Sequence, residues 1–229
     1  MRAFRMSVRE ARMFIGRILL TCGVPSGAAH GVQECILLSQ ALGLGGFSML
    51  LKEHSSLDWS AYGGMRLDEQ AGGTMRVDAG GLHAWLLLPS VMDLAVDRAR
   101  RFGSAKVEIL NAAVPSELRV ARALAKRYGA VTSVSETDSG TLLTVRNTSR
   151  PATPEQWDPL LLEALRDGYE SDEATWKAMH ALGNRALAPD SVVSRRHAGP
   201  VVLADDGSLL GRIPQDDDFD MNMLKKVGK

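Results

Sequence analysis

Between residues 75 and 145 the sequence alternates between two hydrophobic periods, and this alternation constrains the fold more than any other feature. The run 75–77 has apolar residues at every second position, as a half-buried strand does. The next segment ends at Gly103 and has helical spacing of its apolar residues, which are Leu88, Val91, Met92, Ala95 and Ala99. Further elements follow as strand, helix, strand and strand, over 105–110, from 115, over 131–134 and over 142–145. This order predicts an α/β fold with a central mixed sheet flanked by helices.

The first residues predict an N-terminal helical pair. Ser7 and Glu10 form the S-x-x-E pattern of a capping box ahead of an apolar stripe. Gly23-Val24-Pro25 then ends this helix, and a second helix is expected over 26–41.

After residue 147 the composition changes, and the pattern predicts C-terminal helices plus a hairpin. The helices are expected over 155–169 and 171–182, and the hairpin around Asp205-Asp206-Gly207. The buried face of the first helix is predicted to carry Trp157, Leu160, Leu161 and Leu165.

These elements suggest four parts of the chain. They are a helical segment over 1–57, an α/β core over 58–147, C-terminal helices and a hairpin packed on the core over 155–213, and an acidic then basic tail over 214–229.

Composition narrows the class of protein. The chain has 229 residues, is 45% apolar and has a formal net charge of zero, so charge alone draws it to neither nucleic acid nor membrane. No stretch approaches the roughly 20 apolar residues of a membrane helix. Arg17 interrupts the apolar run before Cys22, which argues against an export signal. We therefore expect a cytoplasmic protein without nucleic-acid or membrane partners.

His83 is the first candidate catalytic residue. It follows the Ala79-Gly80-Gly81 break, where a strand end meets a helix start, and α/β layers place ligands at such points. Gly80 and Gly81 are accordingly predicted to contact the ligand. The alternative is a partly buried loop histidine. No two histidines have metal-ligand spacing with an acidic or thiol partner, so no metal site is predicted.

Two further polar groups are candidates. Asp68 and Glu69 would serve as acid and base if they were buried, and a solvated turn is the alternative. Later in the chain a cluster of hydroxyl and guanidinium groups resembles a carboxylate cradle, with an ordinary surface loop as the alternative. Its residues are Ser191, Ser194, Arg195 and Arg196.

Short motifs run along most of the chain, at 7–10, 23–25, between 37 and 51, at 86–89, 176–182 and 189–199. They include Leu86-Leu87-Leu88-Pro89 and Pro189-x-Ser191-x-x-Ser194-Arg195. Together they resemble a family of uncharacterised bacterial domains of about this length, which implies no activity.

Residues 7–147 also resemble the N-terminal half of the malate/L-lactate dehydrogenase family that is unrelated to the Rossmann dehydrogenases. The helix motif of that family is matched by Met92, Ala95, Ala99, Arg100 and Gly103. Where the family has its two histidine motifs, this chain has Gly46-Phe47-Ser48-Met49 and Asn111-Ala112-Ala113. The resemblance implies a dehydrogenase-like scaffold, with NAD(P) as its cofactor, that lacks the proton-donating imidazole.

Two functions remain open. The first is a metabolic enzyme acting on an amino-acid or hydroxy/keto-acid-like carboxylate, held near Arg195 or Arg196, with His83 or an acidic neighbour transferring a proton. The second is a non-catalytic accessory subunit, marked by a large apolar face on the N-terminal helices. In either case we expect a homo-oligomer. The α/β layer and its glycine breaks favour the enzyme.

Overall fold

A computed structural model describes residues 4–70, 73–148, 153–187, 201–206 and 208–212. The chain forms two compact units, Met1–Ala186 and Leu187–Lys229. In the second unit, strands β8 (Val201–Leu203) and β9 (Leu209–Arg212) pair antiparallel, which confirms the predicted hairpin. The predicted tail over 214–229 lies outside the described residues.

A five-stranded mixed sheet forms the centre of the first unit, in the order β2-β3-β4-β6-β5. The strands are β2 (Arg66–Glu69), β3 (Thr74–Asp78), β4 (Ser104–Leu110), β5 (Ala130–Glu136) and β6 (Thr141–Asn147). β3 and β4 are parallel, and the other neighbours are antiparallel. The α/β fold class and the mixed sheet predicted from the two hydrophobic periods are therefore confirmed.

Helix α4 (Ala84–Phe102) connects the two parallel strands and buries the apolar stripe seen in the sequence. It ends at Gly103, whose φ of 83° lies in the left-handed region that glycine tolerates. Pro89 lies inside this helix and faces Gly31 of the neighbouring helix. A Cβ at Gly31 would lie 3.1 Å from the Pro89 ring, so the glycine permits the close approach of the two helices. Among the described residues, no helix is both long enough and apolar enough to cross a membrane.

The N-terminal helices agree closely with the sequence pattern. α1 (Val8–Thr21) begins at the predicted capping box, in which Glu10 N donates to Ser7 Oγ at 3.2 Å. α2 (Ser26–Ala41) has the predicted bounds, and α3 (Gly46–Glu53) follows it.

The prediction of one continuous helix over 155–169 is wrong. The segment divides into α6 (Pro154–Trp157) and α7 (Pro159–Asp167), because proline disfavours helical geometry in the residue before it. Asp158 instead caps α7 and accepts a hydrogen bond from Leu161 N at 3.0 Å. Leu165 is 61% exposed and Trp157 is 39% exposed, so neither lies on a buried face.

Residue 169 begins a strand that the sequence pattern did not reveal. β7 (Tyr169–Ser171) pairs antiparallel with β1 (Phe4–Met6), and together they form a separate two-stranded sheet. The helix predicted over 171–182 is confirmed as α8 (Glu173–Gly183), which packs against α1.

Candidate functional site

The carboxyl ends of β3 and β4 meet where the sequence predicted a ligand. Asp78 ends β3, and its Oδ1 accepts hydrogen bonds from Asn111 Nδ2 and from Gly80 N, both at 2.9 Å. These two bonds, with that from Asn111 the stronger influence, lower the pKa of Asp78. Gly80 and Gly81 have φ values of 57° and 86°, which explains why glycine occupies this tight turn.

The amides of this turn are already engaged within the protein. Gly80 N donates to Asp78, Gly81 N donates to Asn111 O at 2.8 Å, and Ala84 N donates to Ala113 O at 3.0 Å. A ligand at Gly80 and Gly81 would have to displace these bonds. Their predicted role in ligand binding stays a prediction.

His83 caps helix α4 from inside the fold. Its Nδ1 accepts a hydrogen bond from Trp85 N at 3.2 Å, so the ring proton of the neutral imidazole lies on Nε2. The residue is 1% exposed, and Nε2 has no hydrogen-bond partner among the described residues. Burial lowers the pKa of His83 to about 4. The imidazole is thus neutral near pH 7, and its catalytic role stays a prediction.

Asp68 and Glu69 lie on strand β2 rather than in a turn, and both are exposed. The register pairs Glu69 with Met75 and Asp68 with Arg76, in the first half of β3, whereas His83 follows the other end of that strand. Glu69 also forms an ion pair with Arg98 of α4. The structure therefore does not bring these carboxylates to His83. Their roles as acid and base stay untested.

The predicted cradle of Ser191, Ser194, Arg195 and Arg196 lies outside the described residues.

A cavity of about 360 Å³ lies elsewhere in the first unit, and sequence reasoning did not find it. Its walls are mostly apolar and include Pro89, Leu124, Tyr128, Trp157 and Leu161. Four charged residues contribute to the lining, namely Arg12, Glu34, Arg127 and Asp158. We call this feature the charged-floor cavity and the four residues its floor.

The floor residues come from four elements and alternate in charge. Arg12 Nη2 of α1 contacts Glu34 Oε1 of α2 at 2.6 Å. Arg127 of α5 (Ala121–Arg127) contacts the other oxygen of Glu34 through Nη1 at 2.6 Å and Asp158 Oδ2 through Nε at 2.6 Å. Each carboxylate is thus neutralised by at least one guanidinium.

The floor carboxylates are buried, so their ion pairs offset the cost of removing the charges from water. Glu34 is 6% exposed and Asp158 is 5% exposed, and an unpaired charge at such a depth is costly. Burial alone would lower the pKa of Arg127, but Asp158 and Glu34 together outweigh that effect and raise it. The guanidinium therefore stays charged throughout the ordinary pH range.

Two aromatic walls of the cavity have their polar atoms engaged. Trp157 Nε1 donates to Arg127 O at 2.7 Å, which holds the indole against the floor. Tyr128 bonds to Asp93 through its hydroxyl, and burial, the larger influence, together with that bond raises the pKa of Tyr128 to about 12. The phenol is therefore protonated at neutral pH.

One local signal could have indicated the cavity. Asp158 followed by Pro159 is a helix-start pattern, with an N-cap residue and proline in the first turn. This pattern predicts a helix start at Asp158, which divides the segment 155–169 into two helices. The contact of Asp158 with Arg127 is long-range and has no sequence signature.

A second cleft, larger at about 630 Å³, lies between the 3₁₀ helix Pro115–Val120 and the β5–β6 hairpin. Arg122 Nη2 donates to Val134 O at 3.1 Å, and Arg119 lies 4.0 Å from Glu136. Arg119 and Glu136 are mostly exposed, so water screens their charges.

No family model and no curated protein matches this chain. Among solved structures, the chain is similar to a malate dehydrogenase from Entamoeba histolytica, with 13% identity and a TM-score of 0.44, over 84% of this chain and 72% of that one. It is also similar to a malate dehydrogenase from Pyrococcus horikoshii OT3, with 17% identity and a TM-score of 0.45, over 65% of this chain and 48% of that one. Similarity this distant assigns neither a family nor an activity. The resemblance to uncharacterised bacterial domains stays a prediction.

Proposed function

We propose that the protein binds a small organic carboxylate in the charged-floor cavity. The observation that carries this proposal is the unequal use of hydrogen-bonding groups in the floor. Both oxygens of Glu34 are taken by guanidinium groups. Asp158 uses one oxygen for Leu161 N and the other for Arg127. Glu34 Oε1 and Asp158 Oδ2 meet their guanidinium nitrogens at 2.6 Å without hydrogen-bond geometry, so the four acceptor oxygens of the floor are held by two hydrogen bonds and two ion-pair contacts.

Among the residues that the structure describes, the donors of the floor are not all occupied. Two guanidinium groups carry roughly ten N–H donors in all. The floor contacts account for one nitrogen of Arg12 and two of Arg127. Arg12 is also 31% exposed at its side chain, which makes it reachable from solvent. A ligand that offers acceptors and negative charge suits this arrangement, and guanidinium groups match carboxylate geometry.

The cavity also has the general form of a small-molecule site. Its volume is within the usual range of about 300–1,000 Å³, and its walls are apolar around a few convergent polar groups. These properties support a carboxylate of amino-acid or hydroxy/keto-acid type as the ligand. They do not indicate a class of reaction, so an enzymatic role requires the detection of turnover.

NAD(P) does not fit the described residues where the sequence placed the ligand. A dinucleotide needs free donors for its pyrophosphate, and Gly80 N and Gly81 N are bonded within the protein. It is also too large for a cavity of about 360 Å³. No step of the proposed function is therefore routed through a nicotinamide.

The alternative, an accessory subunit, has less support. A large apolar face on the N-terminal helices would favour it. Along α1, α2 and α3 with their caps, all within the described residues, the exposed large apolar side chains are Met13, Leu20 and Leu42. Homo-oligomerisation stays a prediction, which sedimentation velocity would check.

The proposed function is tested by isothermal titration calorimetry with a panel of organic acids, some with rings and some without. We expect at least one acid to bind, its primary amide not to bind, and Arg12→Gln to weaken binding at least tenfold. Arg9→Gln is the matched control, because Arg9 is an exposed arginine of the same helix. The proposal is wrong if no acid binds or if binding survives Arg12→Gln unchanged.

A further inference from the structure

The walls of the charged-floor cavity indicate the shape of the part of the ligand that lies beyond its carboxylate. Four of them are ring side chains, namely Trp157, Tyr128, Pro89 and the exposed His30. Rings present flat, rigid apolar surfaces, and aromatic faces prefer to pack against other rings in offset or edge-on arrangements. A flat ligand body complements such walls better than a flexible chain does.

The polar atoms of Trp157 and Tyr128 are unavailable to a ligand, and Pro89 offers none. The indole N–H of Trp157 donates to Arg127 O, and the hydroxyl of Tyr128 is bonded to Asp93. Pro89 has no N–H. The other wall residues include Leu124 and Leu161, which offer only methyl groups. A polar ligand body would lose its bonds to water against these walls, and of the lining side chains outside the floor only the exposed imidazole of His30 could replace them.

The volume limits the size of the ligand. A space of about 360 Å³ equals roughly a dozen water molecules at about 30 Å³ each. One or two fused rings with a carboxylate have about this number of heavy atoms. A second carboxylate on such a molecule would lie among the apolar walls, or near Glu34 and Asp158, which repel it.

We propose that the ligand is a planar ring acid with a single carboxylate. The ring lies against Trp157 and Tyr128, and the carboxylate binds Arg12. This inference rests on the proposed function and adds the chemical class of the ligand to it.

The test is calorimetric titration of the full chain with benzoate and heptanoate, which have the same number of carbon and oxygen atoms but differ in the ring. 2-Naphthoate is the larger ring acid, and naphthalen-2-ylmethylammonium carries the same ring with the opposite charge. We expect benzoate to bind at least fivefold more tightly than heptanoate, 2-naphthoate to bind more tightly still, and the ammonium compound not to bind. Equal affinities for benzoate and heptanoate, or binding of the ammonium compound, would overturn the inference.

Variants of cavity residues test whether the preference for benzoate arises in this cavity. Trp157→Ala should remove the preference for benzoate over heptanoate, whereas Trp59→Ala, which changes a tryptophan outside the lining of the cavity, should leave it. If Trp157→Ala does not fold, Leu161→Trp serves instead, because a larger side chain fills the cavity and should exclude 2-naphthoate. A preference that survives both Trp157→Ala and Leu161→Trp contradicts ring binding in this cavity.

The two proposals fail in different ways. If heptanoate binds as tightly as benzoate and Arg12→Gln weakens both, the ring inference is wrong and the carboxylate function stands. If no acid binds, the carboxylate function itself is wrong. Arg119→Gln, in the second, larger cleft, should change none of these affinities.

Discussion

Arg127 and Glu34 are separated by 93 positions in the sequence, and their side chains meet at 2.6 Å beneath the cavity. Because Glu34 also contacts Arg12 and Arg127 also contacts Asp158, this pair joins helices α1, α2 and α5 to the cap of α7. The walls of the cavity are therefore fixed by the same contacts that form its floor.

Removing the charge of Glu34 should destabilise the protein strongly. Glu34→Gln leaves Arg12 and Arg127 facing each other without their shared carboxylate, and breaking a buried ion pair costs about 3–5 kcal/mol. Urea denaturation followed by circular dichroism measures the free energy of unfolding. Glu163→Gln, on the exposed side of α7, is the control and should change this free energy by less than about 0.5 kcal/mol. Equal effects of the two substitutions would show that the floor contributes nothing to stability.

Stability should also fall as the solution becomes acidic, because of His83. A histidine in the unfolded chain titrates near 6.5, whereas burial lowers the pKa of His83 to about 4 in the folded protein. Between these values the unfolded chain binds a proton that the folded protein does not, so acid favours unfolding. The free energy of unfolding is therefore unaffected by His83 above about pH 6.5 and decreases as the pH falls toward 4. The total decrease is roughly 3 kcal/mol, at about 1.4 kcal/mol for each unit by which the pKa is lowered.

Denaturation at a series of pH values checks this prediction. His83→Asn keeps an acceptor for the start of α4 but cannot take up a proton, so its stability should depend less on pH between 6.5 and 4. His180→Asn changes an exposed histidine of α8 and serves as the control. Identical pH profiles of the wild type and His83→Asn would contradict the prediction.

Gly46 should not tolerate even a methyl group. A Cβ at this position would meet the backbone carbonyl of Ile36 and the backbone nitrogen of Gln40, so α2 and α3 would have to move apart. We expect Gly46→Ala to lower the free energy of unfolding by about 1–3 kcal/mol, as overpacking does. Gly27→Ala lies on α2 with nothing within 4 Å of the new methyl group and should be neutral or slightly stabilising. If Gly27→Ala were the more destabilising of the two variants, α2 and α3 would not be closely packed at Gly46.

Much of the fold could be predicted because it depends on local patterns. The capping box of Ser7 and Glu10, the bounds of α2 and the end of α4 at Gly103 are each encoded within a few neighbouring residues. Local patterns do not predict the strand order, because β6 lies between β4 and β5 although β5 precedes it in the chain. The pairing of β1 with β7 joins residues near 5 and 170, and short strands of three residues leave no clear period.

The candidate site was harder to predict for a related reason. Sequence reasoning followed a rule about strand ends and selected His83, Gly80 and Gly81, whose polar groups the fold largely uses for its own turn. Arg12 and Glu34 become neighbours only through long-range packing of α1 and α2. Ionised side chains of this kind usually lie in solvent, so nothing in the sequence distinguishes the few that are buried.

The most direct test of the carboxylate site is the indole N–H signal of Trp157 in a proton–nitrogen correlation spectrum. The chain has four tryptophans, and Trp157→Phe identifies the signal that belongs to Trp157. On titration with 2-naphthoate, the Trp157 signal should move to a saturating endpoint, because its N–H bonds to Arg127 O at the edge of the cavity. The signals of Trp59 and Trp176 should stay in place, and Arg12→Gln should abolish the movement. A Trp157 signal that does not move at saturating 2-naphthoate would contradict binding in the charged-floor cavity.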